Sequence, residues 1–271
     1  MKTMRSCLLI LVCVSLVSAA APEAKKPAAA PLLNDAGHGS VSGQFLLDGA
    51  IPKAKILVKK GDPTAKDGAV CAAVDLASDS LVVDPKTKGI QHIFVYIRKV
   101  DKTKIHPKLK SSAKPEVVFD QKGCRFTPHT LLVRTDQSVV VKSADNCAHN
   151  THTYPIRNKA DNFIINANNR TGLKFKYPVA EFLPTTVKCD IHPWMKAYWL
   201  VLDHPYMAVT DASGRFTVTG LPPGTYEFRC WHELMGYVAA GSKRGFSVTI
   251  KANQTTQLPA TKVPVAKFKD E

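Results

Sequence analysis

The densest chemistry in the chain lies in seven residues, Cys189-Asp-Ile-His192-Pro-Trp-Met195. A thiol, an imidazole and a thioether recur at every third position, between the runs Thr185-Thr-Val-Lys and Ala197-Tyr-Trp-Leu-Val-Leu. A strand-turn-strand of this kind aims three side chains at one point. These are the soft and borderline donors copper prefers, and two imidazoles, one thiolate and a weak axial thioether complete its trigonal site. Only the second imidazole is missing from the loop. Upstream, the run Ser138 to Lys142 enters Ser143-Ala-Asp-Asn-Cys-Ala-His149-Asn150, which delivers His149 just past a strand end. His149, Cys189, His192 and Met195 are therefore the expected metal ligands. Four protein donors leave no open position for substrate, which points to electron transfer and away from catalysis. Pro193 has no N–H, so it stiffens the loop and withholds a donor. Trp194 and Pro193 are expected to form an apolar rim around an outward-facing His192 edge, where a redox partner docks.

A rival set exists in Cys147-Ala-His149-Asn-Thr-His152, which with Cys189 would suit zinc. It leaves His192 and Met195 without roles. His129 follows Pro128 at a strand entry with weak claim to a metal, and His38, His92, His106 and His204 have no partner pattern, as surface or hydrogen-bonded histidines would. Trp231-His232-Glu233 reads as a satisfied sandwich edge. The absence of any His-x-His pair argues against the trinuclear cluster of a multicopper oxidase.

The elements that must position these residues are short alternating or β-branched runs bounded by Gly, Pro, Asp or Asn. They are Val41 to Leu47, Lys55 to Val58, Leu81 to Val83, His92 to Ile97, Glu116 to Phe119, Leu131 to Arg134, Ser138 to Lys142, Thr185 to Cys189, Ala197 to Leu202, Phe216 to Thr219, Tyr226 to Cys230 and Phe246 to Ile250. No apolar stripe at helical spacing is sustained past the N-terminus, so the chain is expected to be all-β and built as sandwiches. Lys2 and Arg5, an apolar run from Cys7, and Ser18-Ala-Ala-Ala21 have the layout of a secretory signal over 1–20, cut between Ala19 and Ala21. Lipoprotein processing at Cys13 would bisect the apolar run. Residues 21–37 read as a flexible linker and 253–271 as a C-terminal tail. The expectation is a protein outside the cytoplasm, periplasmic or secreted, that does not span a membrane.

Of 7 cysteines, Cys7 and Cys13 leave with the signal, and the five that remain cannot all pair. In an oxidising compartment a bond to metal protects the odd thiolate. The formal charge of +15 favours an acidic partner. Nucleic acid is excluded as that partner, because the densest basic stretch, Arg98 to Lys110, has no interleaved aromatics for bases to stack on.

With these residues in view, 116–203 resembles a cupredoxin, a type 1 (blue) copper domain of the amicyanin and plastocyanin kind. The ligand loop has the amicyanin-type spacing, with Pro193 after its His. Phe126-Thr-Pro128 before Leu131 to Arg134 is similar to the family's opening strand, and Ala148-His149-Asn150 to its His-Asn segment. The resemblance implies a Greek-key β-sandwich with one copper ion. It also implies that Asn150 ties the two ligand loops together, its backbone N–H pointing at the thiolate. The flanks resemble a carboxypeptidase regulatory-like (transthyretin-like) β-sandwich: Gly39-Ser-Val-Ser-Gly-Gln-Phe45 fits its opening, and Ala208 to Phe228, with the turns Asp211-Ala-Ser-Gly214 and Gly220-Leu-Pro-Pro-Gly224, its second half. The organisation expected is 38–115 and 204–252 as two halves of one sandwich around the cupredoxin insert. Exported proteins called methylamine-utilisation-like combine such modules; the name implies no substrate here. Four cysteines allow three disulfide connectivities. Cys147 and Cys230 depart from the family patterns, so the expected pairs are Cys71 with Cys124 and Cys147 with Cys230. The alternative function is a carbohydrate- or protein-binding sandwich with an auxiliary metal site, although 204–250 offers no aromatic platform for sugar.

Overall fold

A computed structural model describes residues 32–269. The signal, its cleavage site and most of the linker lie outside the described residues. The first segment carries β1 (Gly39–Asp48), β2 (Ile56–Val58), the one-turn helix α1 (Gly68–Cys71), β3 (Leu76–Ala77) and β4 (Phe94–Ile97). The central segment carries β5 (Glu116–Gln121), β6 (Phe126–Thr127), β7 (Thr130–Arg134), β8 (Ser138–Val141), β9 (His149–Tyr154), β10 (Asn162–Ile165), β11 (Leu173–Lys176), β12 (Thr185–Lys188) and β13 (Lys196–Leu202). The last segment adds β14 (Met207–Val209), β15 (Arg215–Leu221), β16 (Gly224–His232), β17 (Gly236–Tyr237), β18 (Gly245–Ile250), β19 (Thr255–Gln257) and β20 (Thr261–Pro264). The chain is all-β, and among the described residues no helix is long and apolar enough to cross a membrane.

The first and last segments interleave into one sandwich. In one of its sheets β1 lies between β15 and β19 and also pairs with β20; in the other the order is β14-β4-β16-β17, with β18 also on β16. Strict alternation along β1 turns Val41, Phe45 and Leu47 inward and Ser42 and Gln44 outward. The hairpin turn before β15 works because Asp211 accepts from the N–H groups of Ser213 and Arg215. Gly214 there has φ +73°, and a Cβ at this position would strike the Phe45 carbonyl. The central segment builds a second sandwich from the sheets β10-β9-β12-β13-β7 and β11-β8-β5-β6. Its core holds Phe119, Phe126, Tyr177 and Trp199.

Strand β13 joins the two sandwiches. Ala197, Trp199 and Val201 face the second core, while Tyr198, Leu200 and Leu202 pack with Phe94 and Tyr96 of β4. Burial on both faces explains its unbroken apolar run.

Four expectations need correcting. Residues 255–264 are not a tail, since β19 and β20 run parallel to β1. The end of the linker is tied down: Leu33 N donates to Thr219 Oγ1, and Asp35 pairs with His106 (2.6 Å) and Lys108 (2.9 Å). Leu81 to Val83 forms no strand, only a bridge from Val83 to Ile90. The segment 38–115 is also not one module, because Val58, Cys71, Ala72 and Leu76 leave the first sandwich and join the core of the second. This excursion, residues 58–77, forms a strap.

Candidate metal centre

Strand pairing sets the backbone of the site. β12 pairs with both β9 and β13, which brings the start of β9, carrying His149, beside the end of β12, where the chain turns into Cys189. The 189–195 loop is closed by its own backbone: Cys189 N donates to Met195 O (3.2 Å) and Met195 N to His192 O (2.9 Å). Asn150 spans the two loops. Its backbone N–H donates to Cys189 Sγ (3.4 Å), and its side-chain oxygen accepts from Asp190 N (2.6 Å) and Ile191 N (3.2 Å).

His149, Cys189 and His192 converge. One donor atom from each lies within 4.8 Å of the others, and all three are buried, as is Met195. The two Nδ1 atoms face each other at 2.9 Å, and His192 Nδ1 is 3.7 Å from Cys189 Sγ. Nitrogen and sulfur donors on one ion, at bond lengths of roughly 2.0–2.3 Å, stand about 3.5 Å apart.

The outer edge of each ring decides the tautomer. His149 Nε2 donates to Asp145 Oδ2 (2.9 Å) and His192 Nε2 to Asp67 Oδ2 (3.0 Å). With a proton on each Nε2, two Nδ1 atoms only 2.9 Å apart are held there by a proton or a cation between them. The donor set thus fits a resident soft or borderline metal.

Electrostatics single out one of the three free cysteines among the described residues, Cys147, Cys189 and Cys230. Burial works to raise the Cys189 thiol, but hydrogen bonds from His149, His192 and the Asn150 N–H overcome it and bring the pKa down to about 6. Burial likewise opposes charge on His149, yet Asp145 and the Cys189 sulfur raise it to about 9. Burial pushes Cys147 up to about 11 and raises Cys230 further still. Only Cys189 is stabilised as the thiolate that binds metal.

The surroundings of His192 differ from the expectation. The ring is fully buried, and its edge meets Asp67 instead of solvent. Pro193 is exposed; Trp194 is half-buried, with its ring 5.3 Å from that of His192 and its Nε1 donating to Cys124 O (3.2 Å). Asp67 caps α1 from a left-handed conformation (φ 52°) and accepts from the N–H groups of Val70 and Cys71. A Cys71–Cys124 disulfide fastens the strap. The second expected bridge is absent, because Cys147 belongs to the second core and Cys230 to the first.

The zinc-like set does not assemble: His152 turns to Asp190 (3.0 Å) and the Tyr154 hydroxyl (2.9 Å). His106 and His204 are buried and hydrogen-bonded, to Asp35 and to Tyr206 N, and His232 is buried as well. Glu233 is no simple sheet edge, since it reaches the buried His129 Nε2. The functional groups not anticipated from sequence are Asp145 and Asp67. Asp145 carries a signal in hindsight, four residues before His149 in a polar loop. Asp67 is 125 residues from His192, with nothing local to link them.

No protein-family model and no curated protein matches the chain. Among solved structures, a reduced amicyanin mutant aligns at 16% identity over 34% of this chain and 86% of its own, with a TM-score of 0.28. A purple cupredoxin from Nitrosopumilus maritimus aligns at 17% identity over 32% of this chain and 99% of its own (TM-score 0.25). The copper-containing nitrite reductase of Thermus scotoductus SA-01 aligns at 18% identity over 34% of this chain and 23% of its own (TM-score 0.27). At such scores the functional reading rests on the side chains alone.

Proposed function

We propose that the chain is an extracytoplasmic electron carrier that holds one type 1 copper ion through His149, Cys189, His192 and Met195. The single observation that carries this reading is the approach of His149 Nδ1 and His192 Nδ1 to 2.9 Å beside a sulfur stabilised as a thiolate. A copper ion held there supplies a one-electron couple. The protein's own residues fix the donors: Asp145 and Asp67 hold the rings, Asn150 holds the sulfur, and Pro193 stiffens the loop. With four protein donors there is no place for substrate, so the chain is not an enzyme by itself. Burial of the donors keeps water out and limits rearrangement between oxidation states.

In this reading electrons enter and leave beside Trp194 and the exposed Pro193, the Trp194 ring lying 5.3 Å from that of His192. The partner is a redox protein with an acidic face, in keeping with the net charge of +15. The Cys71–Cys124 bond agrees with an oxidising compartment. Visible and electron paramagnetic resonance spectra of the Cu(II)-loaded protein test the proposal. An intense sulfur-to-copper band that a mild reductant bleaches, and that Cys189→Ala lacks, is the expected result; equal spectra for the two proteins would sink it.

A further inference from the structure

Cys147 has no part in the site just described, yet sulfur surrounds it. The Sγ atoms of Cys71, Cys124 and Cys147 and a ring nitrogen of His192 lie within 4.8 Å of one another, and all four residues are buried. Cys71 and Cys124 are bonded to each other, whereas Cys147 is a free thiol, 3.7 Å from His149 Nε2. We propose that this cluster is a second, redox-dependent metal site: when the Cys71–Cys124 bond is reduced, Cys71, Cys124 and Cys147 together bind one further Cu(I) ion.

Three thiolates are soft donors, and such donors select Cu(I) over harder ions. Sulfurs bonded to one metal at about 2.3 Å in a trigonal plane stand about 4 Å apart. The Cys147 sulfur already lies within 4.8 Å of the other two, and the bonded pair has to move apart once reduced. Cys71 can make that movement. It ends a one-turn helix on the strap, which among the described residues is cross-linked to the second sandwich by the disulfide alone. A carboxylate oxygen of Asp145 lies within 4.8 Å of the Cys124 and Cys147 sulfurs, which suits a cation.

The chemistry balances with a dithiol as reductant. Two electrons and two protons pass to the S–S bond, the dithiol becomes its own cyclic disulfide, and two cysteine thiols result. Binding of Cu(I) then releases thiol protons to solvent without changing the oxidation state of copper. In the oxidised chain two of the three sulfurs are committed to each other and the site does not exist.

The experiment compares the oxidised chain with the chain reduced by dithiothreitol and desalted without oxygen. Thiols counted in denaturant confirm a gain of two, and Cu(I) is measured by competition with bathocuproine disulfonate. The reduced chain is expected to take up one more Cu(I) than the oxidised chain, with sulfur alone around the added ion by X-ray absorption. Cys147→Ser should lose the added ion and keep the first. Cys189→Ala should do the reverse, which separates failure here from failure of the type 1 reading. Should Cys147→Ser not fold, the double variant Cys71→Ser/Cys124→Ser must take up no added ion. Equal copper in the two states despite two new thiols, or an added ion that survives either serine variant, overturns the proposal.

Discussion

The two imidazoles of the metal centre are each held from outside by a carboxylate, and the two carboxylates come from very different parts of the molecule. Asp145 belongs to the loop that leads into β9. It is buried, accepts from the backbone N–H groups of Gly123 (2.5 Å) and Cys124 (2.8 Å), and meets His149 four residues on. Asp67 belongs to the strap. Its side chain is 34% exposed, it sits on a single helical turn, and it reaches a histidine 125 residues away. The first carboxylate is part of the framework and the second is an attachment. The chemistry delivered to the ring is the same, a proton held on Nε2, but the energetic coupling to the fold should differ.

That contrast breaks if the two carboxylates prove equivalent. Asp145→Ala is expected to have the largest effect: two backbone donors and a buried imidazole lose their acceptor together, which destabilises the metal-free protein by about 3–5 kcal/mol. Urea denaturation measures it, and a loss below about 1 kcal/mol would mean that Asp145 is no more structural than a surface ion pair. Cys71→Ala/Cys124→Ala comes next. The bond spans 53 residues of sequence, and its removal is expected to cost about 2–4 kcal/mol. In that variant proteolysis should cut first within 58–77, since the disulfide is the strap's covalent anchor. Cleavage elsewhere would show that packing of Val58, Ala72 and Leu76 holds the strap without it.

The sandwich junction sharpens the comparison, because it contains imidazoles with and without a carboxylate. Burial opposes charge on His129, but Glu233 and the charge of Asp79 overcome it and raise its pKa. His92 and His232 have no such partner, and burial lowers each to about 3. A raised pKa contributes stability that is fully present below the unfolded value of about 6.5 and is lost as pH rises through the folded one. The lowered pair acts in the opposite sense, contributing above about 6.5 and losing that contribution as pH falls toward 3. Glu233→Gln removes what keeps His129 apart from that pair. Its cost, about 1.5–3 kcal/mol, should be greatest below pH 6.5 and shrink in alkali, with the acid transition moving to higher pH. Parallel stability curves for the two proteins from pH 5 to 9 would deny the link.

Local pattern makes some of this molecule legible in its sequence, and remote contact hides the rest. β1, β4, β13 and β16 announce themselves through alternation or β-branched and aromatic runs, and the Cys-x-x-His-x-x-Met loop through donor types at fixed spacing. β9 reads His-Asn-Thr-His-Thr-Tyr, too polar to suggest a strand, because its buried His149 and Asn150 serve the site and not an apolar core. β19 is Thr-Thr-Gln, and only parallel pairing with the long β1 makes it a strand. The strap is invisible for a third reason. Its apolar residues are few and satisfy a core encoded some 50 to 130 positions later in the chain, so no window around Asp67 records what the segment touches. The pairing of Cys147 with Cys230 failed on the same ground, since parity counts cysteines without assigning them to cores.

The smallest expected change in stability belongs to Asp67→Asn. The ion pair is partly exposed and its carrier is a single helical turn, so the cost should fall within about 1 kcal/mol. Its effect on the metal should be out of proportion to that figure. A negative charge against the outer nitrogen of a ligand imidazole makes the ring a stronger donor and favours the higher metal charge. With the charge removed, affinity for Cu(II) is expected to fall about tenfold and the reduction potential to rise, while the retained amide still accepts from His192 Nε2. Equilibrium denaturation, Cu(II) competition and redox titration on the one variant separate the two readings of the strap. A potential unmoved alongside unchanged stability would reduce Asp67 to a space-filler. A potential raised at nearly constant stability would mean that the chain tunes its metal centre with a residue the fold can spare.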